Sequence, residues 1–238
     1  GSAPQEAAQT GYGDLDRLDK DLDKYLNASR ISYLQLAHPI PVAGNGVTIT
    51  ALSEAEGKAM PVRIAMMRGT QREKAEAQAE TMRKIAASAP KDLAVLTLLA
   101  EAEHDAHHFD AAITAADAAL ASDPKSSNAL FWKGSSMARK LFDAKDRDAA
   151  KWKSARAMLI RANRANPEAA APLLHYYDSC GQEGVAPPDI AVDGLAKALS
   201  LVPQDRGIRF RYAFAMARKK DFARAISVLQ PLANSPHG

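Results

Sequence analysis

The chain has one cysteine, Cys180, in 238 residues, which excludes an intrachain disulfide framework and a zinc site built on several thiolates. Aromatic residues make up only 6%, too sparse for a thick, ring-filled sheet core. No apolar run approaches the roughly 20 residues a membrane span needs. Charge of one sign is also lacking. Thirty-one basic against 28 acidic side chains leave +3, too mild a surplus to imply nucleic acid as a partner. There is no glycine-rich phosphate loop, no His-Glu-x-x-His and no serine-nucleophile phrase, so no cofactor, metal or catalytic residue is expected here. Apolar residues are present at 47%, enough to exclude disorder throughout, and alanine supplies much of that share. Alanine favours helices that touch closely. Gly1-Ser2 reads as a cloning scar, and the abrupt Ser235-Pro236-His237-Gly238 reads as a fragment of a longer protein.

The strongest pattern is a phrase of helical run, small-residue face and proline, ending at Pro90, Pro124, Pro167, Pro203 and Pro236 with spacings of 34, 43, 36 and 33 residues. A period near 34 residues marks helix–turn–helix arrays. In the clearest copy, Leu93, Leu96, Leu99 and Ala100 share one helix face. The segment His107-His108-Phe109-Asp110 serves as a turn, and Ala112, Ala116, Ala119 and Leu120 form a second stripe. Asp123-Pro124 stops it, since proline disfavours helix in the residue before it and has no N–H to donate. Counted back from the prolines, a small residue recurs at minus twelve (Ala112, Ala155, Ala191) and at minus five (Ala119, Ala162, Ala198), where small side chains let two helices approach. The aromatic at minus fifteen is Phe109, then Trp152.

This pattern resembles the tetratricopeptide repeat, with Gly134 at the expected glycine position. The resemblance covers about Ser53 to the end and implies an all-α, right-handed α-solenoid of helix–turn–helix repeats. The expected organisation is an N-terminal segment 1–52, a degenerate repeat or cap 53–90 (helices about 53–68 and 71–88), and repeats at about 91–124, 125–167, 168–203 and 204–236. The second copy carries an insertion of about nine residues near Leu141–Asp148. The third has Pro188 in place of the aromatic, after an extended loop from Gln182. The fourth is shifted by roughly one residue. Leu229, Leu232 and Ala233 would leave an uncapped apolar patch suited to self-association.

The N-terminal segment reads as a small charged amphipathic helix, with Leu15, Leu18, Leu22, Tyr25 and Leu26 on one stripe, followed by a short β-hairpin from Ile31–Leu36 and Val47–Thr50. The phrase from Gly11 to Leu36 resembles the tail of bacterial envelope proteins of the gluzincin metallopeptidase type. That resemblance implies the cell envelope or periplasm, and an accessory domain to a catalytic domain lying upstream.

The repeat resemblance further implies that first-helix side chains line a concave groove that holds a protein or peptide segment. Carried over residue by residue, these are Thr97, Glu101, His104, Asp105, Asn128, Phe131, Ser135, Arg139, Leu174, Asp178, Phe210, Phe214 and Arg218. Aromatic anchors mixed with both signs of charge suit an extended peptide or a helix. The chaperone-type carboxylate clamp wants Lys and Asn where Thr97 and Glu101 stand, so that ligand is not expected. The ligand-like group Glu101, His104, Asp105, His107, His108 and Asp110 reads as a solvated turn. Lys133, Arg139, Lys140, Lys145, Arg147, Lys151, Lys153, Arg156, Arg161 and Arg164 are opposed locally only by Asp143, Asp146 and Asp148. That basic stretch would suit an acidic partner. Cys180, just before Gly181, reads as a small interior thiol at a helix end.

Overall fold

The computed structural model describes residues 4–27, 50–69 and 72–233. Twelve helices, and no strands, occur among the described residues. The expected β pair lies outside them. The chain divides into two units, residues 1–50 and 51–238. The first holds α1 (Pro4–Tyr12) and α2 (Leu15–Leu26). Asp14 caps α2 by accepting the N–H groups of Asp16 and Arg17, and no side chain of α2 is buried.

The second unit is an α-solenoid of five helix pairs: α3 (Glu54–Met67) with α4 (Arg72–Ser88), α5 (Leu93–Asp105) with α6 (Phe109–Ser122), α7 (Ser127–Asp143) with α8 (Ala149–Ala165), α9 (Ala170–Glu183) with α10 (Asp189–Leu201), and α11 (Arg206–Arg218) with α12 (Phe222–Ala233). Each helix packs against the next in sequence, while α3, α5, α7 and α9 also touch along a row of first helices. No described helix is long and apolar enough to cross a membrane.

Two local devices repeat from pair to pair. Between pairs, a turn closes on its proline: Asp92 donates its N–H to Ala89 O at 3.1 Å, Ser126 to Asp123 O at 3.1 Å, Ala169 to Asn166 O at 3.2 Å and Asp205 to Val202 O at 3.0 Å. Proline at the second turn position presets the required φ. The donor of each turn is then the N-cap of the next first helix. Within pairs, the first helix ends on a left-handed residue: His107 (φ 63°), Lys145 (53°), Gly184 (88°) or Lys220 (63°). The N–H of the residue after it reaches back into the last turn, for example His108 to Glu103 O at 2.8 Å and Asp221 to Met216 O at 3.0 Å, the Schellman arrangement that occupies orphaned carbonyls.

The six recurrent alanines at minus twelve and minus five are all fully buried. At Gly134 a Cβ would meet Ala155 O and the Leu159 side chain at 3.0 Å, so α7 and α8 approach too closely for any larger residue without displacement. The extra residues of the second copy fall where the spacing places them, around Leu141–Asp148: they lengthen the end of α7 (17 residues against 13 in α5), the linking turn and the start of α8 (17 against 14 in α6). The lengthened pair stays in register because Trp152 is fully buried and donates Nε1–H to Asp146 O at 2.8 Å across the turn. In the third copy, α9 runs two residues into the expected loop, to Glu183, and Cys180 lies in its last turn, where its carbonyl accepts from Gly184 and Val185.

Candidate functional site

The first helices line a cavity of about 660 Å³ that crosses α3, α5, α7 and α9. Glu56 and Arg63 come from α3, Thr97, Leu98 and Glu101 from α5, Asn128, Phe131 and Trp132 from α7, and Ala171 and Pro172 from α9. Four of the expected groove residues, Thr97, Glu101, Asn128 and Phe131, thus meet in one cavity. Thr97 is turned back on its own helix, donating to Leu93 O at 2.7 Å. Phe131 shows the groove an edge while packing against Trp132 and His175, each 4.8 Å away between ring centres.

Glu101 is the chemically unusual member. Burial, reinforced by the charge of Asp105 and only partly offset by Arg63, pushes its carboxyl up to about 7. A carboxyl desolvated this far is easily ionised by a cation brought beside it.

The other expected residues lie elsewhere. His104, Asp105 and Arg139 join His107 and Phe109 around a smaller hollow of about 260 Å³. Ser135 is buried and pairs with His175 Nδ1 at 2.9 Å. Leu174 packs with Leu195, Ala198 and Ile208, and Asp178 accepts from Arg211 Nε at 2.8 Å. Phe210 and Phe214 are exposed on α11. Arg218 lines a small hollow with Tyr177, Pro187 and Val192. Arg63 and Pro172 were missed: the first sits in the degenerate pair, where the repeat pattern gives no register, and the second is a proline at a helix start.

Two sequence expectations need correction. The group around His104 is a solvated turn only in part: His107 and Asp110 are exposed, whereas His104 is not. His104 Nδ1 pairs with Ser136 Oγ at 2.9 Å, its ring packs against Phe109 and Trp132, and burial, with the neighbouring His175, His107 and Arg139 charges, lowers its pKa to about 4. His108 joins a cluster on the other side, where Arg83 grips buried Glu103 through Nε at 2.7 Å and Nη2 at 2.8 Å, and His108 Nδ1 lies 3.0 Å from the same carboxylate. Burial alone would raise the Glu103 carboxyl, but Arg83 and His108 together hold it below its ordinary value. No group of three or more metal-ligating side chains occurs among the described residues.

The basic stretch is also not a free stripe. Neighbouring helices supply the missing acids: Asp117 binds Lys133 at 2.5 Å, Asp110 binds Lys140 and buried Glu183 binds Arg156. Lys151 pairs with Asp146 at 2.6 Å and Arg139 with Asp143 at 3.0 Å. Arg147 and Arg161 donate to the Gln182 and Pro124 carbonyls. The attraction for acidic partners inferred from the linear charge count is therefore largely spent inside the fold.

No family model matches the chain, and no curated protein matches it in sequence. Solved structures do. A thermophilic TPR protein of Thermus thermophilus, TTC0263, superposes with a TM-score of 0.61 at 18% identity, covering 76% of this chain and 92% of the other. Pseudomonas aeruginosa pilF gives 0.59 at 18% identity over 75% of each chain. MamA from residue 41 onward of Desulfovibrio magneticus RS-1 gives 0.54 at 18%, covering 77% and 96%. At these identities the likeness speaks for architecture, and it agrees with the helix pairing above: the chain has the fold of a tetratricopeptide-repeat solenoid.

Proposed function

We propose that this chain is a noncatalytic protein-interaction scaffold whose groove holds a segment of another protein. The observation that carries the reading is the cavity crossing four first helices, lined by apolar edges, the Asn128 amide, an arginine and an easily ionised carboxyl. Such a lining offers an extended segment several shallow anchor points along its length, the composition of a recognition surface. The chain's one thiol, Cys180, lies outside this cavity, is buried and is pushed up by that burial, so it is no activated nucleophile.

A photo-cross-linking residue at Asn128, which is exposed in the groove, should capture a protein segment that the same residue at Lys153, exposed on α8, does not. Asn128→Arg should reduce binding of the captured segment about tenfold or more. Equal capture at both positions would move the site off the groove. The peptidase-accessory reading rests on the phrase Gly11 to Leu36 alone. A His-Glu-x-x-His motif and a distal glutamate in sequence joined upstream would support it.

A further inference from the structure

Glu101 stands in the groove without a partner, and its neighbours explain why. One turn before it on α5, Thr97 spends its hydroxyl proton on Leu93 O, and a hydroxyl has no second proton to give. One turn after it, Asp105 carries charge of the same sign and makes ionisation harder. Across the cavity, Arg63 of α3 offsets part of that cost without closing an ion pair. Among the described residues Glu101 makes no hydrogen bond and no ion pair.

The other two acids of the cavity are already occupied. Glu56 accepts the N–H of Ser53 at 2.7 Å, and Asp92 accepts from the N–H groups of Ala94 and Val95 and from Ser53 Oγ. Both are committed to helix starts. Neither α7 nor α9 adds a charged side chain to the lining. Glu101 and Arg63 are thus the two charges left to meet an incoming side chain.

Their surroundings decide between them. Arg63 is exposed, so a carboxylate gains little by replacing its water. Glu101 is half-buried, and its carboxyl is lifted to about 7. A cation beside it replaces hydration that the fold has removed. The same cavity presents Leu98 and Trp132, apolar surface on which a long side chain can lay its stem while its charged head reaches a polar group. Its volume of about 660 Å³ admits such a side chain together with the backbone that carries it. Resting on the groove reading above, we propose that the bound segment places a basic side chain, lysine or arginine, beside Glu101, with its stem across Leu98 and Trp132.

The test uses the whole chain with the photo-cross-linking residue at Asn128 and three pools of capped nine-residue synthetic peptides. Flanking positions are random among uncharged residues, and the central one is lysine, norleucine or glutamate. Norleucine keeps the stem and lacks the ammonium. At pH 8 the lysine pool should half-saturate cross-linking at about tenfold lower concentration than the norleucine pool, and the glutamate pool should be the weakest. At pH 6 the Glu101 carboxyl is mostly protonated, so the gap should close to about twofold. The other charged groups facing it are Glu56 and Arg63 from α3 and Asp92 and Asp105 from α5. His104, with a pKa lowered to about 4, stays neutral across this window. Glu101→Gln should remove both the preference and its pH dependence. Arg63→Gln, at an exposed site, should widen the gap by removing the competing cation. Equal half-saturation by the lysine and norleucine pools, or a preference that survives Glu101→Gln, overturns the proposal and leaves the groove reading standing. Strongest capture of the glutamate pool overturns it in favour of Arg63. Capture from Asn128 no greater than from Lys153 removes the groove reading itself, and this proposal with it.

Discussion

The pairs α7–α8 and α11–α12 are built to one plan and live in different surroundings. Trp152 and Phe222 hold the same place at the start of a second helix, yet the first is fully buried and the second is 60% exposed. The difference lies in the neighbours, because a repeat leaves a flank that only the adjoining repeat can cover. The same side chain is thus a core residue in one copy and a surface in another. Trp152→Ala should cost about 3–5 kcal/mol of unfolding free energy, the range for an emptied aromatic site, and it also strands Asp146 O. Phe222→Ala should cost under about 1 kcal/mol. Urea denaturation of both variants measures this directly. Comparable losses would mean that the last pair is as well covered as the middle one.

The middle of the row is also where histidines bind helices together. On α7, Ser136 pairs with His104 of α5 and Ser135 with His175 of α9, whereas α11 contains no histidine at all. Burial holds both imidazoles below their ordinary pKa, His104 at about 4. An imidazole kept neutral when folded but free to protonate when unfolded contributes its full stabilisation above the ordinary value of 6.5, and loses it as the pH falls towards the folded value. His104 alone should therefore withdraw about 3 kcal/mol between pH 6.5 and 4. Amide protection measured at pH 7 and near pH 4 should drop in α5, α7 and α9 more than in α11. A His104 ring that titrates near 6.5 by NMR would remove the basis for this.

Glycine separates the two pairs with a change of sign. At Gly134 a Cβ meets a backbone carbonyl of α8, which cannot step aside cheaply, while at Gly207 it meets only the tips of Arg211 and Asp205 at 3.2 Å. Gly134→Ala should destabilise by about 1–3 kcal/mol, as overpacking does. Gly207→Ala should stabilise by up to about 1 kcal/mol, through helix propensity. Thermal melts that shift in the same direction for both would break the distinction.

Much of the architecture is written in local spacing. The prolines at 90, 124, 167 and 203 and the paired alanines reveal the helices because each marks a repeated contact with its own partner, twelve and five residues before the stop. Proline by itself is a poorer guide, since Pro61 and Pro231 lie inside α3 and α12. What spacing hides is whatever a neighbouring helix supplies. The basic run from Lys133 looks unbalanced because Asp110, Asp117 and Glu183 are distant in sequence. His104 looks like a turn residue because Ser136, which buries it, is 32 residues away. The groove shows the same limit. Periodicity brings Thr97, Glu101, Asn128 and Phe131 to one wall, but Arg63 faces them from a pair whose sequence departs from the repeat, and only packing reveals it.

The smallest effect concerns the turns themselves. Asp92, Ser126 and Asp205 each cap a first helix with a side-chain oxygen: Asp92 accepts from Ala94 and Val95, Ser126 from Ala129, and Asp205 from Ile208. Ala169 stands at the same place before α9, with extended backbone (φ −85°, ψ 118°) and no side chain able to accept. The backbone there already has the N-cap conformation, so a carboxylate needs no rearrangement to reach the free N–H groups and also faces the positive end of the helix. Ala169→Asp should stabilise the chain by about 1 kcal/mol, and Asp205→Ala should destabilise it by about the same amount. If Ala169→Asp brings no gain in urea midpoint while Asp205→Ala brings a loss, the α9 N-terminus has lost its need for a cap, and an unseen contact on the Ala171–Pro172 side of the groove must already serve it.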